Sequence, residues 1–274
     1  MNPSTILGLL LAVAIVVLGA LFSAPNPAEL FNLPSLVLVV GGTAAATLIS
    51  YPLREVFRVF KVFGIVLRNE RLYAQEDMDE IVSVSRKYFA GQIVALNDAL
   101  EHCRNPFLRT GVQLVIDGAP VEDIVELLQW RIAKLKAREA AEAQIFRSMA
   151  MYAPAFGMLG TLLGLISMLH NLQGDFQSIG ANMAIAMITT LYGILLANLL
   201  FKPIAIKFER RTERRVMQMN LVLEGVTLMA QRRSPSFIRL YLESLEAHHE
   251  DEIRQAGTKP PLAPASQGKG DGRG

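Results

Sequence analysis

Four stretches of the chain are almost continuously apolar: Thr5 to Ser23, Pro34 to Tyr51, Met149 to Leu172 and Ile179 to Phe201. At a rise of about 1.5 Å per residue, each is long enough to cross a hydrocarbon core of roughly 30 Å. None shows the period-two alternation of barrel strands, and only helices or closed barrels satisfy their backbone in lipid, so four transmembrane helices are expected. A cleavable signal peptide is the competing reading of the first run, but Met1 to Thr5 holds no Lys or Arg, which favours a retained helix. Gly41, Gly42 and the Ala44 to Ala46 run dilute the second stretch, and the same small residues let helices approach closely.

The polar stretches read as helices too. Glu76 to Tyr88 is followed by Gly91, and Gln92 to Cys103 stops before Asn105 and Pro106. After Asp117-Gly118, Pro120 suits a first helical turn with Glu122 and Asp123 at its positive end, and no breaker follows until Pro154. One long helix into the membrane is expected there. Beyond the fourth apolar run, Pro203 opens a second basic stretch through Arg210, Arg214 and Gln218 toward Gln231, and the two extensions are expected to pair as a stalk. From Ala256 the chain is rich in Gly, Pro, Ser and Lys with little apolar content to offset the entropy of ordering, so a disordered tail is expected. The reading is an all-α membrane protein. Residues 1–53 hold transmembrane helices one and two, 54–147 a large helical cytoplasmic domain, and 148–201 helices three and four; 202–255 form a cytoplasmic helical segment and 256–274 the tail.

Charge orients this scheme. All 27 Lys and Arg residues lie between Arg54 and Arg147 or between Lys202 and Arg273. The short connections near Glu29 and Asp175 carry none, so the positive-inside rule puts the long segments and both termini in the cytoplasm. The net charge of +2 arises from acidic and basic residues interleaved in the same segments, which gives no nucleic-acid footprint. A single cysteine, Cys103, excludes an internal disulfide. His102, His170, His248 and His249 form no ligand set, and no phosphate loop, nucleophile elbow or zinc-protease motif occurs, so neither an enzyme, a cofactor nor a resident metal is expected.

The third and fourth runs carry the chemistry. Pro154, Gly157, Thr161 and Gly164 recur at spacings of three, four and three, on one helical face; Ala186, Thr190, Gly193 and Ala197 recur at four, three and four. Thr161 lies fourteen residues before Asp175 and Thr190 fifteen after, so both hydroxyls sit roughly 20 Å from the turn. They can face one another across a hairpin. Two explanations fit: close helix packing, or an ion path lined by hydroxyls and by a carbonyl that Pro154 leaves without a donor. No Asp, Glu, Lys, Arg or His lies within the core of any span, so a proton path would take its carboxylate from another subunit.

The string Ala153-Pro154-Ala155-Phe156-Gly157-Met158-Leu159-Gly160-Thr161-Leu162-Leu163-Gly164-Leu165-Ile166 resembles the MotA/PomA family of bacterial flagellar stator subunits. So do Thr189 to Asn198, Lys202-Pro203-Ile204-Ala205, Asn105 to Gly111 and Val115 to Gly118. The resemblance spans about residues 5 to 245. It implies a subunit of the bacterial inner membrane that couples H+ or Na+ flow to torque. It also implies a homo-pentamer around a MotB/PomB-type partner with a membrane Asp and a peptidoglycan-binding domain, pushing a rotor switch-complex protein. By the same resemblance Pro154, Thr161, Thr189 and Thr190 belong to the ion path, with a transient sodium at Thr161 and Thr190, and Pro203 to torque coupling. The rotor-facing charges fall at Arg86, Lys87, Asp98 and Glu101, although Arg86-Lys87 comes a few residues early relative to Ala95-Leu96. The alternatives are an ExbB/TolQ-type energiser of outer-membrane processes, which generally has three spans, and a non-conducting membrane scaffold.

Overall fold

The computed structural model describes residues 3–23, 30–67, 74–103, 105–170 and 176–258; the turn around Asp175 and residues 259–274 of the expected tail lie outside them. In chain order the helices are α1 (Pro3–Ser23), α2 (Leu33–Ser50), α3 (Leu53–Leu67), α4 (Ala74–Phe89), α5 (Ile93–Glu101), α6 (Pro106–Ile116), α7 (Val121–His170), α8 (Phe176–Leu195), α9 (Lys202–Ala230) and α10 (Pro235–Thr258). Among the described residues every regular element is helical. The chain divides into two units, residues 1–73 with 129–219 and residues 74–128 with 220–274.

Three described helical runs are long and apolar enough to cross a membrane: α2, part of α7, and Ile179–Ala230. In α1 the apolar described segment is the shorter Leu10–Gly19. α1 nevertheless leaves Leu7, Leu11, Ile15, Leu18 and Phe22 exposed, a density of bare apolar side chains that water does not tolerate.

The sequence punctuates these helices by local chemistry. Asn32 caps α2 by accepting from the Ser35 N–H at 3.0 Å, with Pro34 in the first turn. Tyr51 leaves helical geometry and Pro52 follows it, ending α2. Within α2 the buried hydroxyls bond back one turn, Thr43 to the Val39 carbonyl at 2.6 Å and Thr47 to the Thr43 carbonyl at 2.7 Å, so they need no outside partner. Neither of the two prolines in these long helices ends its helix. α7 runs 50 residues straight through Pro154, because one missing N–H costs a single rung while packing holds the remainder. At the other proline, α8 passes into α9 through a π-turn, Leu196–Phe201, in which the Lys202 N–H reaches the Ala197 carbonyl. The wide turn opens the ladder immediately ahead of the Pro203 ring, which would otherwise crowd a carbonyl one turn back.

α3, which the apolar runs alone did not reveal, is amphipathic. Val56 and Val59 are buried, while Leu53, Phe57 and Phe60 stay largely exposed. α3 packs with Phe146 of α7: that ring lies 6.1 Å from those of Phe63 and of the half-exposed Phe60, and 5.4 Å from that of Phe208 on α9. Ala150, Ala153, Ala197, Phe201, Ile204 and Ala205 extend this core.

The expected pairing of the two extensions is present and polar. Arg147 donates to both carboxylate oxygens of Glu209, at 2.5 and 2.8 Å. Glu139 and Glu142 are buried on α7, Glu139 held by Arg215 and the Thr212 hydroxyl, Glu142 by Arg58 at 3.1 Å. Removing Arg58 or Arg215 would strand a buried carboxylate, whereas the Arg147–Glu209 pair is largely exposed and contributes less.

In the second unit, Ile81, Val82 and Val84 of α4, Leu96 of α5, Leu108 and Val112 of α6 and Ile238 and Leu242 of α10 are buried. Each contributes about 2 kcal/mol of apolar burial. Gly91 and Gly118 turn the chain at φ +68° and +71°, where a side chain would be strained. Asn105-Pro106, read as a stop, also starts the next helix: the Asn105 side chain accepts from the N–H groups of Phe107 and Leu108. Beside it Cys103 is buried, and burial pushes its thiol up to about 11. Alkylation of the folded protein at pH 8 is therefore expected to be slow and to accelerate as pH rises toward that value, since only the thiolate reacts. Timed mass spectrometry across a pH series checks this; rapid alkylation at pH 8 would show that the segment around Cys103 is open.

Candidate functional site

α7 and α8 approach closely because small residues line both. A Cβ at Gly193 would stand 2.6 Å from the Ala153 carbonyl, and one at Gly157 would stand 3.1 Å from the Thr189 carbonyl and the Thr190 Cα. Gly160, which the sequence stripe did not include, receives the Thr189 side chain. The backbones touch at these places, and only glycine allows it.

That approach joins the two threonines. The Thr161 and Thr190 hydroxyl oxygens lie 2.5 Å apart. Both also reach the Gly157 carbonyl at 3.2 Å, and Thr161 reaches the Ala186 carbonyl at 3.1 Å. Each hydroxyl has one proton, so these acceptors are alternatives, and two hydroxyl and two carbonyl oxygens converge on one point. The pair is half-buried, with Met158, Leu162, Met187 and Ile194 exposed around it. Thr189 is not part of this cluster: its hydroxyl bonds the Ile185 and Ala186 carbonyls of its own helix, at 3.2 and 2.8 Å, and it is buried against Gly160. Pro154 lies next to Gly193 at the closest crossing.

Pro203 is exposed, two residues past the π-turn. Within that turn the Asn198 amide donates to the Ile194 carbonyl at 3.0 Å, and the Lys202 ammonium donates to the Asn198 side-chain oxygen at 3.0 Å. Hydrophobic patterning does not reveal this turn, because an extra residue in a helix leaves no gap in an unbroken apolar run.

The four charged residues lie in the second unit. Arg86 and Lys87 occupy the last turn of α4, and Asp98 and Glu101 lie on α5; Arg86, Asp98 and Glu101 are exposed. A groove of about 320 Å³ is lined by Lys87, Tyr88, Phe89, Leu96, Ile116 and Arg232. Arg232 adds a cation that the sequence reading did not single out, held out on a left-handed turn residue at φ 59°.

An all-helical membrane protein with a hydroxyl-and-carbonyl cluster on a tight helix hairpin is the class that fold and site define. Residues 99–221 match the model of the MotA/TolQ/ExbB proton channel family. Motility protein A of Treponema phagedenis is 32% identical over 226 residues, covering 82% of this chain and 86% of its own. The chain belongs to the MotA/TolQ/ExbB proton channel family. Its fold is shared with the C. jejuni MotAB structure, at a TM-score of 0.82 and 23% identity over 89% of this chain and 96% of that one. The flagellar MotAB stator complex of Bacillus subtilis gives a TM-score of 0.80 at 24% identity, over 93% and 98%.

Proposed function

We propose that this chain is the ion-conducting stator subunit of a bacterial flagellar motor, working with a MotB-type partner. The observation that carries it is the Thr161–Thr190 pair, a half-open oxygen cluster in a membrane hairpin of a motility-protein relative. The chain supplies no Asp, Glu, Lys, Arg or His between residues 176 and 201, where Thr190 lies, so the partner supplies the carboxylate that takes the ion. The two hydroxyls and the Gly157 and Ala186 carbonyls then hold the ion's other side. The same oxygens ligate Na+ directly or orient a water that relays H+, so both ions remain within this mechanism.

The finer architecture rests on the charge pattern of the chain and on its resemblance to the MotA/PomA family. α1 is the fourth span alongside α2, α7 and α8, with residues 54–147 and 202–255 and both termini in the cytoplasm. Five copies surround the partner's helices, Pro154 shapes the ion path, and Pro203 passes the motion on to the cytoplasmic helices. Arg86, Lys87, Asp98 and Glu101 face the rotor.

The test is complementation. Co-expressed with a single-span partner bearing a membrane Asp, in a strain lacking its own stators, the chain is expected to restore swimming that stops when the ion gradient collapses. Restoration by the chain alone, or swimming indifferent to both gradients, would overturn the reading.

A further inference from the structure

The backbone just ahead of α2 carries polar groups that its own helix cannot satisfy. One side chain from α8 takes two of them. The Tyr192 hydroxyl donates to the Leu30 carbonyl at 2.5 Å and accepts from the Asn32 N–H at 3.0 Å. The same corner is tied down further by the Asn32 side chain, which accepts from the Ser35 hydroxyl at 3.0 Å; that hydroxyl also lies 3.5 Å from the Ile185 carbonyl of α8. The start of α2 is thus stapled to α8 at Ile185 and Tyr192, on either side of Thr189 and Thr190.

Successive helical residues turn by about 100°, so Tyr192 points about 200° away from Thr190, nearly to the opposite face. α8 is therefore held from two sides: Thr190 bonds to Thr161 and Gly157 on α7, and Tyr192 bonds to the start of α2. A helix gripped on one side alone can roll; gripped on both, it cannot. The roll angle of α8 decides whether the Thr190 hydroxyl meets Thr161 or swings off the shared carbonyl. Without the Tyr192 hydroxyl, the Leu30 carbonyl and the Asn32 N–H each lose this partner and the corner loosens.

We infer that Tyr192 is a positioning residue for the ion-path threonines, a latch that sets the roll of α8 from the face opposite Thr190. The inference rests on the stator reading above and deepens it. Tyr192→Phe keeps the ring, which packs against the buried core of the first unit, and removes one oxygen.

The experiment expresses parent, Tyr192→Phe, Thr190→Val, Thr161→Val and the Tyr192→Phe/Thr161→Val double variant, each with the chain's own partner, in a stator-deficient strain. Rotation speed is measured across a sodium series at fixed pH and a pH series at fixed sodium, and the complex is recovered by partner pull-down. Tyr192→Phe is expected to raise the half-saturating concentration of the driving ion about fivefold, as the loss of about one hydrogen bond implies, with maximal speed and recovery within about twofold of the parent. In the Thr161→Val background it is expected to add no further shift, because the latch acts through the pair. An unchanged half-saturation, a loss of speed that only tracks lost complex, or a shift that persists undiminished without the Thr161 hydroxyl would each overturn the latch. Thr190→Val separates this from the broader reading: if it halts rotation while Tyr192→Phe is silent, only the latch fails, and if it is itself silent, the ion path and the latch fall together.

Discussion

Thr190→Val is expected to stop ion-driven rotation while leaving the complex with the partner intact. Valine keeps the branched shape of threonine, so the contact with Gly157 across the hairpin is preserved, and only the hydroxyl is lost. That hydroxyl bonds to Thr161 and to the Gly157 carbonyl at once, so its removal takes one oxygen from the cluster and leaves Thr161 facing a methyl group. A direct ligand lost from a desolvated ion site costs about 2 kcal/mol or more, roughly a thirtyfold fall in ion occupancy. Thr161→Val is expected to be graded by the ion: severe with sodium, which needs oxygen ligands, and milder with protons, which a water chain can deliver. Rotation speed across a sodium series, read beside pull-down recovery, measures both. Unaltered speed in both variants at every concentration would leave close helix packing as the meaning of the two stripes.

Gly193→Ala is expected to be among the most damaging single methyl additions in the first unit. The added Cβ would meet the Ala153 carbonyl at 2.6 Å and the Pro154 Cα at 3.1 Å, and both are backbone atoms that cannot swing aside. The hairpin must separate at its tightest crossing. Overpacking of this kind costs about 1–3 kcal/mol, which for a chain of this size lowers the unfolding midpoint by several degrees. Gly41→Ala on α2 is the matched control, since a Cβ there meets nothing within 4 Å. Thermal unfolding of the detergent-solubilised complexes should show a drop for Gly193→Ala and none for Gly41→Ala; equal midpoints would mean that the crossing has slack.

The all-helical fold, the long helix toward Pro154, the pairing of the two extensions and the meeting of Thr161 with Thr190 were all legible in the sequence. Each is a matter of period or spacing, which a linear sequence displays directly. The family resemblance carried by Ala153–Ile166 and Thr189–Asn198 agrees with the family to which the chain belongs. The remainder depended on three dimensions. Pro154 looks like a breaker along the chain, yet α7 passes through it because α8 packs against that point. Thr189 and Thr190 are neighbours in sequence, yet a 100° turn sends one hydroxyl back to its own helix and the other across to α7. Tyr192 reads as one more aromatic in an apolar run; its partners at Leu30 and Asn32 are 162 and 160 residues away and belong to backbone, which no side-chain pattern announces.

The clasps between α7 and α9 make those helices a braced truss. Glu139 and Arg147 stand eight residues apart on α7, so the clasp to Arg215 and Thr212 and the clasp to Glu209 are fastened about 12 Å apart along the axis. With a single fastener one rod could pivot on the other. With two at different heights, neither can slide or roll without tearing a charge pair open, and the Glu139 fastener is buried where salt screens it weakly. A twist imposed near the threonines therefore leaves the hairpin as rigid rotation, with little of it lost as slip between the two rods.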